Sequence, residues 1–201
     1  MKIAVASKNM HKVKELSRMI NLEGIELVSL KELGFEGEIE ENGSTFEENA
    51  LIKAKTVCKM YNMPALADDS GLCVDALGGE PGIYSARYAS ENSENSDDRA
   101  NVEKLLKKLE GVADEKRSAR FVCAIALVLP DSTQRCVTGS CEGVITQEVM
   151  GEGGFGYDPV FFYVPYGKTF GETTDEEKNK VSHRFYAVEK IKKELSEIFS
   201  V

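Results

Sequence analysis

The sequence predicts an α/β fold, and three observations carry that prediction. A short apolar stretch, residues 2–7, runs straight into a helical pattern with Val13, Leu16 and Ile20 on one face. A second helical pattern, from Ser44 to about Tyr61, precedes the small apolar run Pro64-Ala65-Leu66-Ala67, which reads as a buried strand. Residues 119–129 and 134–146 then read as two long strands, joined through Pro130-Asp131-Ser132 as an antiparallel hairpin.

At 201 residues, the chain has the length of one domain, or of one domain in two lobes. Its 42% hydrophobic and 29% charged residues are those of a soluble globular protein. The net charge of −9 argues against broad binding to nucleic acid or to anionic membranes, and leaves room for a locally basic cleft. The five cysteines, Cys58, Cys73, Cys123, Cys136 and Cys141, are odd in number and lack CxxC spacing. They read as buried free thiols of a reducing, cytoplasmic protein, not as a disulfide frame or a zinc site. Met1 leads directly into a strand pattern, so no signal peptide is expected, and no apolar run approaches a membrane span. The polar tract Ser90 to Asp98 is the nearest thing to a linker.

Taken in order, the first strand enters its helix through Lys8-Asn9-Met10-His11, with Asn9 as N-cap. A helix start exposes unpaired N–H groups at the positive end of its dipole, which suits an anion, and Lys8 and Lys12 add charge beside it. For this segment alone a capped surface helix with solvated lysines is the favoured reading, and the glycines of a Walker loop are missing. Residues 25–30 predict a second strand, and Glu36 to Glu41 an acidic loop. Ser44-Thr45-Phe46-Glu47 matches a capping box. In the helix that follows, Asn49 and Lys53 are four apart and share a face.

The strand from Ala65 is expected to stop at Asp68-Asp69, with Ser70-Gly71 turning the chain. Adjacent strand residues face opposite ways, so the two carboxylates cannot share one pocket if strand geometry holds through them. Strand ends of α/β sheets are common ligand sites; a solvated turn is the other reading. Gly78 to Tyr88 fixes a tight path, with Arg87 beside two tyrosines. A helix over roughly Asp97 to Leu109, capped by Ser96, buries Val102, Leu105, Leu106 and Leu109.

After the hairpin, Gly151-Glu152-Gly153-Gly154-Phe155-Gly156-Tyr157-Asp158-Pro159 forms a glycine-rich loop. Its backbone can approach a ligand closely; Phe155 and Tyr157 can stack on a flat ring, and Asp158 can accept ring N–H groups. A strand-to-strand loop with aromatics in a small core is the competing reading. The last helix is expected to begin at Thr173 or Thr174, to carry Lys178, Ser182, His183 and Arg184, and to pack through Ile191, Leu195, Ile198 and Phe199.

Oxygen ligands (Asp68, Asp69, Glu40, Glu41) without a His/Cys cluster favour Mg²⁺ over zinc. The lysines Lys8, Lys12, Lys53 and Lys178 suit a phosphate chain, and the aromatic loop suits a base. Together they describe a nucleotide whose phosphates are held by Mg²⁺, with metal-assisted attack by water as the simplest chemistry.

These residues carry a resemblance. The segments Ser7-Lys8-Asn9-Met10-His11-Lys12 with Glu15, Thr45-Phe46-Glu47-Glu48-Asn49-Ala50 with Lys53-Ala54, Ala67-Asp68-Asp69-Ser70-Gly71-Leu72, Pro81 to Tyr88, Gly153 to Pro159, and Ser182-His183-Arg184 resemble the Ham1-like inosine/xanthosine triphosphate pyrophosphatases. The likeness runs from about residue 2 to residue 190, six motifs in order. The segment Gly139 to Gly143 departs from the family pattern in lacking an aromatic. The resemblance implies a long mixed central sheet flanked by helices, with two lobes enclosing a nucleotide-binding cleft, in a single two-lobed domain over residues 1–201. It also implies a homodimer that hydrolyses ITP, dITP and XTP to the monophosphate and pyrophosphate with Mg²⁺.

By position, Asp69 would be the proton acceptor and a metal ligand, and Glu40 the second metal ligand in preference to Glu41. Ser7, Lys8, Asn9, Met10, His11, Lys12, Lys53 and Ser70 would hold the phosphates. Phe155, Gly156, Tyr157, Asp158, Lys178, His183 and Arg184 would hold the purine, where a donor-only arginine suits a 6-oxo group and opposes the 6-amino group of adenine. Two other classes fit the same inventory: a nucleotide-binding module without turnover, and an enzyme acting on modified pyrimidine nucleotides.

Overall fold

The computed structural model describes residues 1–90 and 95–200, apart from the side chain of His11. Its elements in order are β1 (Lys2–Val5), α1 (Met10–Met19), β2 (Glu26–Ser29), α2 (Phe46–Tyr61), β3 (Ala65–Val74), α3 (Asp98–Lys108), β4 (Ser118–Val128), β5 (Gln134–Ile145), β6 (Phe161–Tyr163), β7 (Lys168–Thr169), α4 (Asp175–Lys178) and α5 (His183–Phe199), with 3-10 turns between them. The seven strands form one mixed sheet in the order β2-β1-β3-β4-β5-β6-β7. β1 is parallel to β2 and to β3, and β6 is antiparallel to β5 and to β7. The predicted hairpin forms: Leu129 N–H meets Thr133 O and Ile145 N–H meets Arg117 O, a constant antiparallel register between β4 and β5. The predicted α/β class with a mixed sheet is the observed one. Among the described residues no helix is long and apolar enough to cross a membrane.

The chain divides into two compact units. One comprises residues 1–69, 123–139 and 184–201, the other residues 70–122 and 140–183. In the first, the pleat of the strands sorts the side chains. Ile3 and Val5 of β1, Leu66 of β3, and Cys123, Ile125 and Leu127 of β4 share a core with Val13, Leu16 and Ile20 of α1 and with Ala187, Val188, Ile191 and Leu195 of α5. The intervening positions Ala4, Ala6, Ala65 and Ala67 are small and fully buried. α2 lies against β1 and buries Ala50, Ala54, Val57 and Cys58. Small residues let a helix backbone come close to the sheet.

The second unit has its own core, in which Val102, Leu105 and Leu109 of α3 pack with Leu72, Val74, Phe121, Cys141, Val160, Phe161 and Phe170. Phe121 and Phe161 sit with ring centroids 4.6 Å apart, and Phe161 and Phe170 at 5.1 Å. Gly143 on β5 has no alternative residue here: a Cβ would lie 2.6 Å from the Phe161 ring and 2.7 Å from Phe162 O.

Four local readings change. β3 does not stop at the acidic pair; it continues through Asp68, Asp69, Ser70 and Gly71 to Val74, where its place beside β4 in the sheet overrules local turn propensity. The cap of α2 is Thr45, whose side chain accepts from Glu48 N, while the Glu48 carboxylate accepts from Ser44 N and Oγ. Ser96 does not cap α3; its hydroxyl donates to the buried Asn101. The last helix is two helices, a one-turn α4 with a Thr174–Glu177 capping box and a separate α5. Of the thiols, Cys58, Cys123 and Cys141 are buried, but Cys136 is exposed. The polar tract after Ser90 lies partly outside the described residues.

Arg117 is 2% exposed, and among the described residues no carboxylate forms an ion pair with it. Its guanidinium instead donates to Ile145 O at 2.8 Å, Leu109 O at 2.9 Å and Thr146 O at 2.7 Å, tying the end of α3 to the end of β5. Arg117→Ala would remove the guanidinium donor from three carbonyls, of which Leu109 O keeps Val112 N–H, at about 1–3 kcal/mol for each group left without a partner. The expected outcome is a fall in the urea midpoint worth at least about 2 kcal/mol, followed by circular dichroism, a result that a surface-like loss below about 0.5 kcal/mol would contradict.

Candidate functional site

The unbroken β3 pleat sends its two adjacent carboxylates to opposite faces of the sheet. Asp68, in phase with Leu66, reaches the helices α1 and α5: its Oδ2 accepts from Arg184 Nη2 at 3.1 Å and Nε at 3.3 Å, and Lys12 Nζ lies 3.3 Å away. Arg184 Nη1 donates to Glu15 at 2.6 Å. Asp69, in phase with Ala65 and Ala67, reaches α2: Lys53 Nζ donates to Oδ1 at 2.8 Å and Asn49 Nδ2 to Oδ2 at 3.3 Å. Asn49 and Lys53 are both buried, on the same helical face that their spacing predicted. Glu41 also reaches Lys53, at 3.3 Å. Asn49 Oδ1 accepts from Gly43 N–H at 2.9 Å, which holds the acidic loop to the start of α2.

The two aspartates titrate differently. Burial works to raise the Asp68 carboxyl, yet the charges of Lys12, Arg184 and Lys53 outweigh it and hold Asp68 well below the ordinary carboxylate range. Burial raises the Asp69 carboxyl above that range, against the pull of Lys53. Burial works to lower Lys53, but Asp69, Glu41 and Asp68 keep it raised, so it stays an ammonium. Cys123, beside this network, is pushed up to about 12 by burial and by Asp68, so it is a thiol and no nucleophile.

The segment between β1 and α1 is built as an open turn. Asn9 N–H donates to Ser7 Oγ at 3.2 Å, and Asn9 Oδ1 caps α1 by accepting from Lys12 N–H at 3.2 Å. Lys8 and Met10 are exposed. A hollow of about 300 Å³ adjoins the turn, lined by Ser7, Lys8, Met10, Lys31 and Phe35, and Lys8 Nζ stands 5.9 Å from the Phe35 ring. The side chain of His11, expected among the phosphate ligands, lies outside the described residues. Ser70, the next residue on β3 after Asp69, is half-buried.

In the second unit the glycine-rich loop presents one aromatic and buries the other. The Phe155 ring is 39% exposed, with Lys178 Nζ 4.4 Å from its centroid. Lys178 itself is buried and donates to Asp158 Oδ2 at 2.5 Å, and the same oxygen accepts from Phe155 N–H at 2.8 Å. Gly154 permits this: its φ is +73°, and a Cβ there would lie 2.1 Å from Asp158 Oδ2. Tyr157, expected to stack on a ligand ring, is 3% exposed within the core, and its hydroxyl donates to Ser85 O at 2.8 Å. His183 is buried and stacked on Phe121 at 4.9 Å.

The structure therefore gathers Asp69, Lys53, Asn49 and Glu41 into one group, and Phe155, Asp158 and Lys178 into another. It departs from expectation at three further positions. Glu40 is exposed, and it is Glu41 that reaches the Lys53–Asp69 pair. Arg184, expected to face a purine, is 1% exposed and spends its guanidinium on Asp68 and Glu15. Lys12, expected on phosphate, is paired with Asp68. Asn49 and Glu15 join the polar groups that matter; the helical spacing signalled the first, and nothing in the sequence pairs Glu15 with Arg184.

Among the described residues no three His, Cys, Asp or Glu side chains are grouped as a ready metal cage. Mg²⁺ does not require one, since it keeps several waters and takes one or two carboxylates plus substrate phosphates. Asp69 and Glu41, converging on one ammonium, fit that donor set.

The contrast between the aspartates is testable. Asp68→Asn removes the carboxylate shared by Lys12 and Arg184, leaving Arg184 its Glu15 contact, and is expected to cost about 3 kcal/mol; Asp69→Asn removes a charge that burial disfavours while Lys53 keeps Glu41, and is expected to cost less. Because the folded Asp68 carboxyl lies below its unfolded value, its contribution is fully present above about pH 4 and is lost as pH falls toward the folded value. The gap in urea midpoint between the Asp68→Asn variant and the parent should accordingly be widest at neutral pH and narrow in acid. Equal costs for the two variants would contradict the assignment.

Comparison with known proteins agrees with the motifs. The Ham1 family model matches residues 3–194. The dITP/XTP pyrophosphatase of Bacillus subtilis is 50% identical over 191 residues, covering 95% of each chain. The structure of a HAM1 protein from Coxiella burnetii superposes with a TM-score of 0.89 at 40% identity, covering 98% of this chain and 99% of that one. A nucleoside-triphosphatase / dITP/XTP pyrophosphatase from Mycobacterium abscessus superposes with a TM-score of 0.79 at 45% identity, covering 95% and 98%. On sequence and fold together, this chain belongs to the Ham1 family.

Proposed function

We propose that this chain is a nucleoside-triphosphate pyrophosphatase that hydrolyses dITP and XTP, and ITP by the same chemistry, to the monophosphate and pyrophosphate with Mg²⁺. The observation that carries the reading is the buried Asp69–Lys53 contact at 2.8 Å, with Asn49 and Glu41 completing the group. The names of the relatives support the substrate class.

Asp69 is the general base. Its carboxyl, raised by burial, lies nearer the working pH than an exposed aspartate and so takes a proton from the attacking water more effectively. Lys53 fixes that carboxylate from one side and Asn49 from the other, so the base is oriented before substrate arrives. Asp69 and Glu41 would hold Mg²⁺, which when bound supplies Lewis-acid polarisation of phosphoryl oxygens and a more acidic water. The Ser7–Lys12 turn receives phosphate oxygens through the start of α1 and through Lys8, the side chain there that is exposed and carries a charge. The Phe155 ring takes a base by stacking. Lys178, buried beneath that ring and bonded to Asp158, holds the ring and its loop in place for stacking. Arg184 acts instead through Asp68, holding β3 between α1 and α5.

The test is a panel of dITP, XTP, ITP, GTP, ATP and dUTP with and without Mg²⁺, read for pyrophosphate and for orthophosphate. Pyrophosphate from dITP and XTP is expected, with turnover lost on chelation. Asp69→Asn should lower kcat by about 100-fold or more while the circular dichroism spectrum is retained. Orthophosphate as the product, preference for dUTP, or tight binding without turnover would each overturn the reading.

A further inference from the structure

The glycine-rich loop is held by a residue that no motif includes. Asp98 opens α3, a position where an acidic residue is usually accounted for by the helix dipole. Here its carboxylate does more: Oδ2 accepts from Gly156 N–H at 2.7 Å, across 58 residues of sequence. The preceding amide, Phe155 N–H, is taken by Asp158 Oδ2 at 2.8 Å. Two successive N–H groups are thus each fixed by a carboxylate, one from within the loop and one from α3. Gly156 adopts φ +61°, so the peptide that Asp98 holds is in a left-handed conformation that relaxes readily once its amide is released. Tyr157 anchors the next residue through Ser85. Phe155 is the one residue of this run whose ring is left substantially exposed.

We infer that Asp98 is a positioning residue for nucleobase binding: by holding Gly156 N–H it sets the plane in which the Phe155 ring meets a stacked purine. It touches no substrate atom in this scheme. The inference rests on the proposed pyrophosphatase activity and on the assignment of Phe155 to the base. The chemical step belongs to Asp69 and Lys53, so loss of the clamp weakens binding and leaves the proton transfer alone.

The test uses the full-length protein and XTP with Mg²⁺. Asp98→Ala is expected to raise KM by roughly ten-fold, the effect of losing one hydrogen bond to a charged acceptor, with kcat within about two-fold. Asp98→Asn, which keeps an acceptor oxygen, is expected to recover most of that loss. The Gly156 amide, followed by hydrogen exchange in NMR spectra, should exchange faster in Asp98→Ala than in the parent or in Asp98→Asn. A merely structural role would lower the melting temperature of Asp98→Ala without moving KM at 25 °C, and that result overturns the inference. So does a fall in kcat at constant KM, or a Gly156 amide whose exchange does not change. Failure of the parent protein to release pyrophosphate from XTP or dITP would instead remove the proposed function itself, and the two failures are told apart by that first measurement.

Discussion

Two neighbouring residues in a β-strand cannot look the same way, and this protein places two aspartates under that constraint in a buried strand of its sheet. Asp68 and Asp69 are 1% and 7% exposed. Buried carboxylates need counter-charges, and the pleat dictates that the counter-charges come from different helices. α1 and α5 supply Lys12 and Arg184 to the first, and α2 supplies Lys53 to the second. The consequence is a division of labour. Asp68 has more positive charge around it than it can match, so it remains an anion and locks three elements together. Asp69 has one cation shared with Glu41, so burial dominates and its proton affinity rises. A strongly acidic anchor and a carboxylate of raised proton affinity are made from the same residue type, one position apart, by environment alone.

The second unit solves a different problem, which is to keep an aromatic ring in water and in one place. The glycines of the 151–156 loop supply backbone angles that other residues avoid, and that freedom has to be removed again. It is removed by hydrogen bonds to carboxylates, by the Tyr157 anchor, and by close approach to Gly171, whose carbonyl accepts from Gly153 N–H at 2.9 Å. Gly154 and Asp158 are mutually fitted, since any side chain at the former would occupy the carboxylate of the latter. The lysine beneath the ring has a dual role, balancing Asp158 and lying against the Phe155 face.

Much of this was readable from the sequence where the signal is local. The strand-helix alternation, the hairpin over Pro130 and the i, i+4 pairing of Asn49 with Lys53 depend on residues close together in the chain. The readings that changed depend on residues far apart. Ser70 and Gly71 are ordinary turn residues, and their extended form follows from the place of β3 beside β4 in the sheet. Arg184 looks like a surface donor until Asp68 and Glu15, 116 and 169 residues away, are seen to enclose it. Tyr157 carries both a flat ring and a hydroxyl, and its burial follows from a carbonyl 72 residues distant. Glu40 and Glu41 are indistinguishable as letters, and loop geometry decides which one meets the ammonium. Asp98 sits where an acid is expected for another reason, so nothing in its neighbourhood advertised a second use.

The alternation along β3 also limits how the gene can change. Replacing Ala65 or Ala67 with a larger residue alters packing against α2, but inserting or deleting a single residue before Asp68 does something more severe. It exchanges the faces of every position downstream, so that Asp68 would be presented to Lys53 and Asp69 to Arg184. Only paired insertions preserve parity. The length of the Pro64–Asp69 segment should therefore drift far less among descendants of this protein than the identity of the residues filling it.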